Sequence, residues 1–104
     1  QAMVDNLLAL GAKSVVLTLG SKGCIMRNES EYHKIPAFNV KSIDSTGAGD
    51  TFCGALAAGL TEGRNWKDSL IFASAASAIC VTRLGAQPSI PTADEVYDFL
   101  KKNN

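Results

Sequence analysis

An α/β fold, strands flanked by helices, is predicted for this chain from three observations. The run Ser14-Val15-Val16-Leu17-Thr18-Leu19 is apolar and rich in β-branched residues, the pattern of a strand buried on both faces. A helical pattern ending at Gly11 precedes it, and helix, short loop and buried strand make half of a right-handed α/β unit. Further on, the glycine-bearing turn Asp44-Ser45-Thr46-Gly47-Ala48-Gly49-Asp50 runs straight into Phe52, Leu56 and Leu60, which share one side of a helix.

The bulk properties fit a small folded domain. There are 104 residues, 46% of them hydrophobic and 19% charged, a balance that belongs to globular chains and not to disordered ones. Ten basic side chains cancel ten acidic ones, so no electrostatic footprint for nucleic acid exists, and no basic amphipathic run suits a membrane surface. No apolar run is long enough to span a bilayer. The three cysteines, Cys24, Cys53 and Cys80, are odd in number and lack Cys-x-x-Cys spacing, which argues against a disulfide framework or a zinc site. Each sits among apolar neighbours, so buried free thiols in a reducing cytoplasm are expected. The chain starts on a helical pattern without an initiator Met, so residues 1–104 read as a single-domain excerpt of something longer.

Taken in order, residues 1–10 carry Val4, Leu7 and Leu8 on one helical face, and Gly11 stops that helix. The strand at 14–19 follows. Gly20-Ser21-Lys22-Gly23 then turns the chain, Cys24-Ile25-Met26 resumes extended structure, and Asn28 to Glu31 is a polar turn. Tyr32 to Ile35 closes a hairpin, and Pro36 breaks the pairing. Val40 to Ile43 reads as a short strand leading into the glycine turn. The helix after that turn is expected from about Asp50 to Leu60, with a connection over residues 61–64. Asn65 is placed to cap a long helix running from Trp66 to about Thr82, with Asp68 at its third position. That helix is rich in Ala and Ser, so its backbone can approach a neighbour closely. Residues 84–89 read as a loop, and Thr92 and Glu95 have capping-box spacing for the last helix, whose apolar side is Val96, Phe99 and Leu100. There is no internal repeat, low-complexity tract or interdomain linker.

Chemistry concentrates at the glycine turn. A helix N-terminus presents unpaired N–H groups and the positive end of the macrodipole, which suits phosphate. Glycines let bare amides reach the anion, and a carboxylate beside them completes a phosphoryl-transfer site, with an anion hole and a base. Asp50 can also be read as an ordinary helix cap, and spacing alone leaves the two readings even. His33, the single histidine, sits in the polar hairpin with no Ser, Cys or carboxylate partner at a telling spacing, so a surface role is expected. Trp66 reads as a packing residue.

Thr46-Gly47-Ala48-Gly49-Asp50-Thr51-Phe52 resembles the C-terminal signature of the ribokinase family of carbohydrate kinases, also called the phosphofructokinase B family. Thr18-Leu19-Gly20-Ser21-Lys22-Gly23 resembles the segment that lines the family's nucleotide site. It is not a Walker P-loop, and alone it would be a hairpin turn. Val81-Thr82-Arg83-Leu84-Gly85-Ala86-Gln87-Pro88-Ser89-Ile90-Pro91 is similar to the tail of ribokinases proper, more than to fructokinases or nucleoside kinases. The resemblance covers essentially the whole chain and the C-terminal third of a family member.

The resemblance implies the C-terminal part of a Rossmann-like three-layer fold, without the portion that binds sugar and carries the lid. It implies an anion hole from Gly47, Ala48 and Gly49, and Asp50 as the base that takes the proton from the sugar hydroxyl. It implies that Thr18, Leu19, Gly20, Ser21, Lys22, Gly23, Gly49, Asp50 and Ser74 touch ATP. A monovalent cation, usually K+, would be held mostly by backbone oxygens at Asp44, Thr46, Cys80, Arg83, Gly85 and Ser89, hard ligands for a hard ion. Mg2+ would bridge the phosphates, with ligands mostly outside this chain. Asn28-Glu29-Ser30-Glu31 fits the family's Asn-x-x-Glu pattern but falls after the Thr18–Gly23 segment instead of before it, and is rejected. The implied activity is ATP-dependent phosphorylation of a sugar hydroxymethyl group, D-ribose first. The partners are small molecules, not nucleic acid or membrane, and the absent lid leaves room for a homodimer in the full-length enzyme. The alternatives are fructokinase, another sugar or nucleoside kinase, or a nucleotide-binding module without catalysis. The chain alone is expected to bind nucleotide weakly and phosphorylate nothing.

Overall fold

A computed structural model describes residues 14–19, 22–40, 47–82 and 91–103. The predicted helix over residues 1–10, the loop at 84–89 and most of the strand at 40–43 lie outside them, and Val40 itself is in no regular element. The chain divides into two units, Gln1–Ala37 and Phe38–Asn104, and each is considered by itself.

The first unit holds a three-stranded sheet in the order β1 (Ser14–Thr18), β2 (Cys24–Asn28), β3 (Tyr32–Ile35). Both pairings are antiparallel, with Val16 opposite Met26 and Met26 opposite His33. The expected hairpin is therefore present. The strand buried on both faces is β2, however, and not β1. Cys24, Ile25 and Met26 are all buried in succession, whereas in β1 Val15 alone is buried. Successive side chains point to opposite faces, so three buried neighbours mean that both faces of β2 are covered. In the sheet β2 is the central strand, while β1 has one partner among the described residues. Val15, Leu17 and Ile25 pack together.

The turns of this unit are built by specific residues. Leu19 N–H donates to the Gly23 carbonyl at 2.7 Å and Lys22 N–H to the Leu19 carbonyl at 3.1 Å. Gly23 has φ +95°, and a Cβ there would run into the Ile35 carbonyl oxygen and lie 2.8 Å from Ala37 N, so glycine is required. At the other turn Asn28 Oδ1 accepts from the amides of Ser30 and Glu31 at 3.0 and 2.7 Å, an Asx turn. His33 Nε2 lies 3.0 Å from Glu31 Oε1. That is a correction, because the sequence reading gave His33 no carboxylate partner. Glu31 lies just before β3 and His33 within it, two residues apart.

The second unit is helical: α1 (Ala48–Thr61), α2 (Trp66–Val81) and α3 (Ala93–Asn103). Ala75, Ala76, Ile79 and Val96 form its core, joined by Phe38, Ala55, Phe72, Phe99 and Leu100. Phe38 meets Phe99 edge to face with centroids 5.2 Å apart, a favoured aromatic geometry. α1 and α2 approach closely where Gly59 faces Ser69: a Cβ on Gly59 would sit 2.8 Å from Ser69 Oγ. Arg64, in the connection between them, lies over the rings of Phe72 and Tyr97 at 4.9 and 5.1 Å, pinning that connection to α2 and α3. Trp66 is half-buried.

All three cysteines are free; Cys24 and Cys80 are buried as expected, but Cys53 is exposed. Its helix neighbours Gly54, Ala57 and Ala58 are exposed too, so apolar neighbours in sequence do not amount to burial when they share an uncovered helix side. No helix among the described residues is long and apolar enough to cross a membrane.

Candidate active site

The glycine turn enters α1 earlier than the sequence pattern indicated. The helix begins at Ala48, with Gly47 as its N-cap residue, and Asp50 falls in the first turn, not at the cap. Gly47 has φ 77°, a left-handed conformation that glycine adopts without strain. Among the described residues no side chain caps this end. The first helical hydrogen bond runs from Thr51 N–H to the Gly47 carbonyl at 2.9 Å. The amides of Ala48, Gly49 and Asp50 therefore precede the ladder, and among the described residues nothing accepts from them. Gly49 has open space where a side chain would be, so its N–H can be approached closely.

The Asp50 side chain is exposed and has no hydrogen-bond partner among the described residues. The cap reading of Asp50 is thus removed, because the cap position belongs to Gly47. What stands at this helix end is three amides aligned with the positive pole of the dipole and one open carboxylate. Such a set can receive a phosphoryl group and accept a proton from an alcohol that attacks it.

Beside this turn a groove of about 460 Å³ runs along α1, lined by Asp50, Thr51, Gly54 and Ala58, with Phe72 and Ala76 of α2 and Val96 of α3 behind. Sequence reasoning passed over it. The signal was present in the spacing of Asp50, Gly54 and Ala58, one helical side made of small residues. A wider depression of about 600 Å³ lies over α3 at Asp94, Tyr97, Asp98, Leu100 and Lys101 and contains none of the residues of the α1 turn.

The remaining candidates are distributed as follows. Gly47, Ala48, Gly49 and Asp50 come together in one turn. Ser74 is half-buried on α2 and does not line the groove. Cys80, fully buried near the end of α2, receives the Thr51 hydroxyl on its Sγ at 3.7 Å. Thr18, Leu19, Lys22 and Gly23 form the end of β1 and the turn after it in the first unit, with Lys22 exposed. Gly20, Ser21, Asp44, Thr46, Arg83, Gly85 and Ser89 lie outside the described residues. Most of the candidate K+ ligands are in that group. Among the described residues no group of three or more His, Cys, Asp or Glu could hold a metal ion.

The chain is similar to known proteins over most of its length. The family model for the pfkB family carbohydrate kinase matches residues 1–93. The chain is 42% identical over 91 residues to ribokinase of Haemophilus influenzae, covering 88% of this chain and 30% of that protein. It is 35% identical over 109 residues to fructokinase-2 of Zea mays, covering 95% of this chain and 32% of that protein. Among solved structures, ribokinase of Thermotoga maritima superposes with a TM-score of 0.92 at 49% identity, over 96% of this chain and 34% of that one. Arabidopsis thaliana ribokinase complexed with ribose and ATP does so with a TM-score of 0.91 at 37% identity, over 96% of this chain and 33% of that one. The chain thus spans about a third of the length of the relatives it matches.

Proposed function

The chain belongs to the pfkB family of carbohydrate kinases, and on that premise we propose that it supplies the phosphate-binding turn and the catalytic base of an ATP-dependent sugar kinase. D-ribose is the proposed substrate and its hydroxymethyl oxygen the acceptor. The observation that carries this reading is the first turn of α1, with three amides unmatched among the described residues and the exposed Asp50 carboxylate beside them.

In the proposed reaction the Asp50 carboxylate accepts the proton of the sugar hydroxyl as that oxygen attacks the γ-phosphorus of ATP. The bond from the γ-phosphorus to the bridging oxygen breaks, and ADP leaves. The amides of Ala48, Gly49 and Asp50 hold the γ-phosphoryl oxygens while charge is redistributed over them. Phosphoryl transfer depends chiefly on positioning and electrostatic stabilisation, and fixed amides at a helix start supply both. Thr18, Leu19, Gly20, Ser21, Lys22, Gly23 and Ser74 are proposed to line the nucleotide. Mg2+ would neutralise the phosphates, and K+ would be held by the oxygens proposed at Asp44, Thr46, Cys80, Arg83, Gly85 and Ser89. A cytoplasmic setting fits three free thiols.

The second reading, a fructokinase, is favoured by one observation, the 35% identity to the maize enzyme. Assaying the full-length protein against a panel of sugars, with and without K+, separates the two. Ribose is expected to give the highest kcat/KM, raised by K+; a fructose preference would move the assignment to the second reading. Turnover by Asp50→Asn equal to that of the unmodified enzyme would end the base assignment. The 104-residue chain incubated by itself with ribose and ATP is expected to form no ribose 5-phosphate, and robust turnover would overturn the proposal that the rest of a relative's length is needed.

A further inference from the structure

Thr51 is engaged on two sides. Its amide makes the bond to the Gly47 carbonyl, at 2.9 Å, that closes the turn carrying Ala48, Gly49 and Asp50. Its hydroxyl reaches across to α2 and donates to Cys80 Sγ at 3.7 Å, a weak bond typical of a sulfur acceptor. Cys80 has no exposure at all, so the acceptor end of this bond is buried, while Thr51 is half-buried at the edge of the groove; burial at one end strengthens a weak hydrogen bond.

The two ends so joined differ in how they are hydrogen-bonded. The α1 end contains Gly47 and Gly49, which weaken a helix start by their backbone freedom, and among the described residues it has no side-chain cap. The α2 end is well tied: the Thr82 hydroxyl and amide both donate to the Ile79 carbonyl, at 2.7 and 3.1 Å. We propose that Thr51 is a positioning residue, whose hydroxyl tethers the glycine-bearing turn to the buried Cys80 and so holds the three amides and Asp50 in place for phosphoryl transfer. The inference rests on the kinase reading above for its catalytic consequence, and on geometry alone for the tether. A threonine in a helix commonly turns its hydroxyl back to its own helix; this one crosses to the neighbouring helix.

The test uses the full-length protein with Thr51→Val, which removes the hydroxyl and keeps the β-branch, Thr51→Ser, which keeps the hydroxyl, and Cys80→Ala, which removes the acceptor. Thr51→Val and Cys80→Ala are each expected to lower kcat about fivefold, the scale of one lost hydrogen bond. The KM for ATP should stay within about twofold, because the turn is displaced and not deleted. Thr51→Ser should keep the original kcat, and the double variant should be no slower than either single one, as for two partners of one bond. Amide hydrogen exchange at position 51 should quicken by a similar factor in Thr51→Val and not in Thr51→Ser. Unchanged exchange would overturn the tether, whatever Asp50→Asn does. Quickened exchange with unchanged kcat, beside an inactive Asp50→Asn, would overturn the positioning role while leaving the kinase reading intact. Additive losses in the double variant would also overturn it.

Discussion

The three helix starts among the described residues of the second unit solve the same problem in opposite ways. At α2, Asn65 Oδ1 accepts from the Asp68 amide at 2.8 Å. At α3, a reciprocal pair does the work: Thr92 N–H donates to Glu95 Oε1 at 3.0 Å, and Glu95 N–H to Thr92 Oγ1 at 3.2 Å. Both ends consume the donors that every helix leaves over. The start of α1 does neither. Its cap residue is a glycine, its acidic side chain is exposed, and its first three amides have no acceptor among the described residues. A side-chain cap contributes about 1 kcal/mol relative to alanine, and a glycine cap such as Gly47 gives up a few tenths of that. The difference teaches where to look for a ligand: among the described residues this helix start alone leaves its first amides without an acceptor.

The comparison can be broken most directly at Asp50. Asp50→Asn should lower kcat by about 10² to 10⁴-fold and leave the thermal midpoint unchanged, since the side chain has no partner among the described residues; a stability loss without a rate loss would make it a structural residue after all. Gly47→Ala comes next. Forcing an alanine to the observed φ of 77° should cost about 1–2 kcal/mol, read by urea denaturation, and should depress kcat as well because the amides turn with the backbone. The capped ends should behave differently. Asn65→Ala should cost about 1 kcal/mol in the same denaturation experiment with kcat preserved, and a large rate effect there would erase the distinction between open and closed starts. The smallest effect is expected from Lys102→Ala. It removes the exposed Lys102–Asp98 pair at 3.2 Å, and such i, i+4 pairs contribute no more than about 0.5 kcal/mol.

Much of the second unit was readable in advance. Asn65 and Asp68, and Thr92 and Glu95, stand at spacings that helix starts use, and both caps are present. The hairpin of β2 and β3 followed from alternation and the polar turn at Asn28. The errors share a cause. β1 was taken for the doubly covered strand because it is the more β-branched, yet coverage depends on having neighbours on both edges and faces, and β2 has them. Cys53 was expected inside because its neighbours are apolar, but its side of α1 is exposed. The acid at position 50 could be located by its motif, whereas its choice between cap and open carboxylate depended on a two-residue shift in where the helix begins.

Local chemistry is therefore what the amino-acid order by itself determined: which residues cap, where glycine must turn the backbone, and which family motif the turn carries. These are properties of a few consecutive residues whose φ/ψ preferences and hydrogen-bonding reach extend only about four positions along the chain. Packing was decided by the tertiary structure: the burial of β2, the exposure of Cys53, the close approach of Gly59 to Ser69 and the meeting of Thr51 with Cys80, twenty-nine positions apart. Contacts of that range depend on how whole elements lie against one another, and no pattern within a single element encodes them.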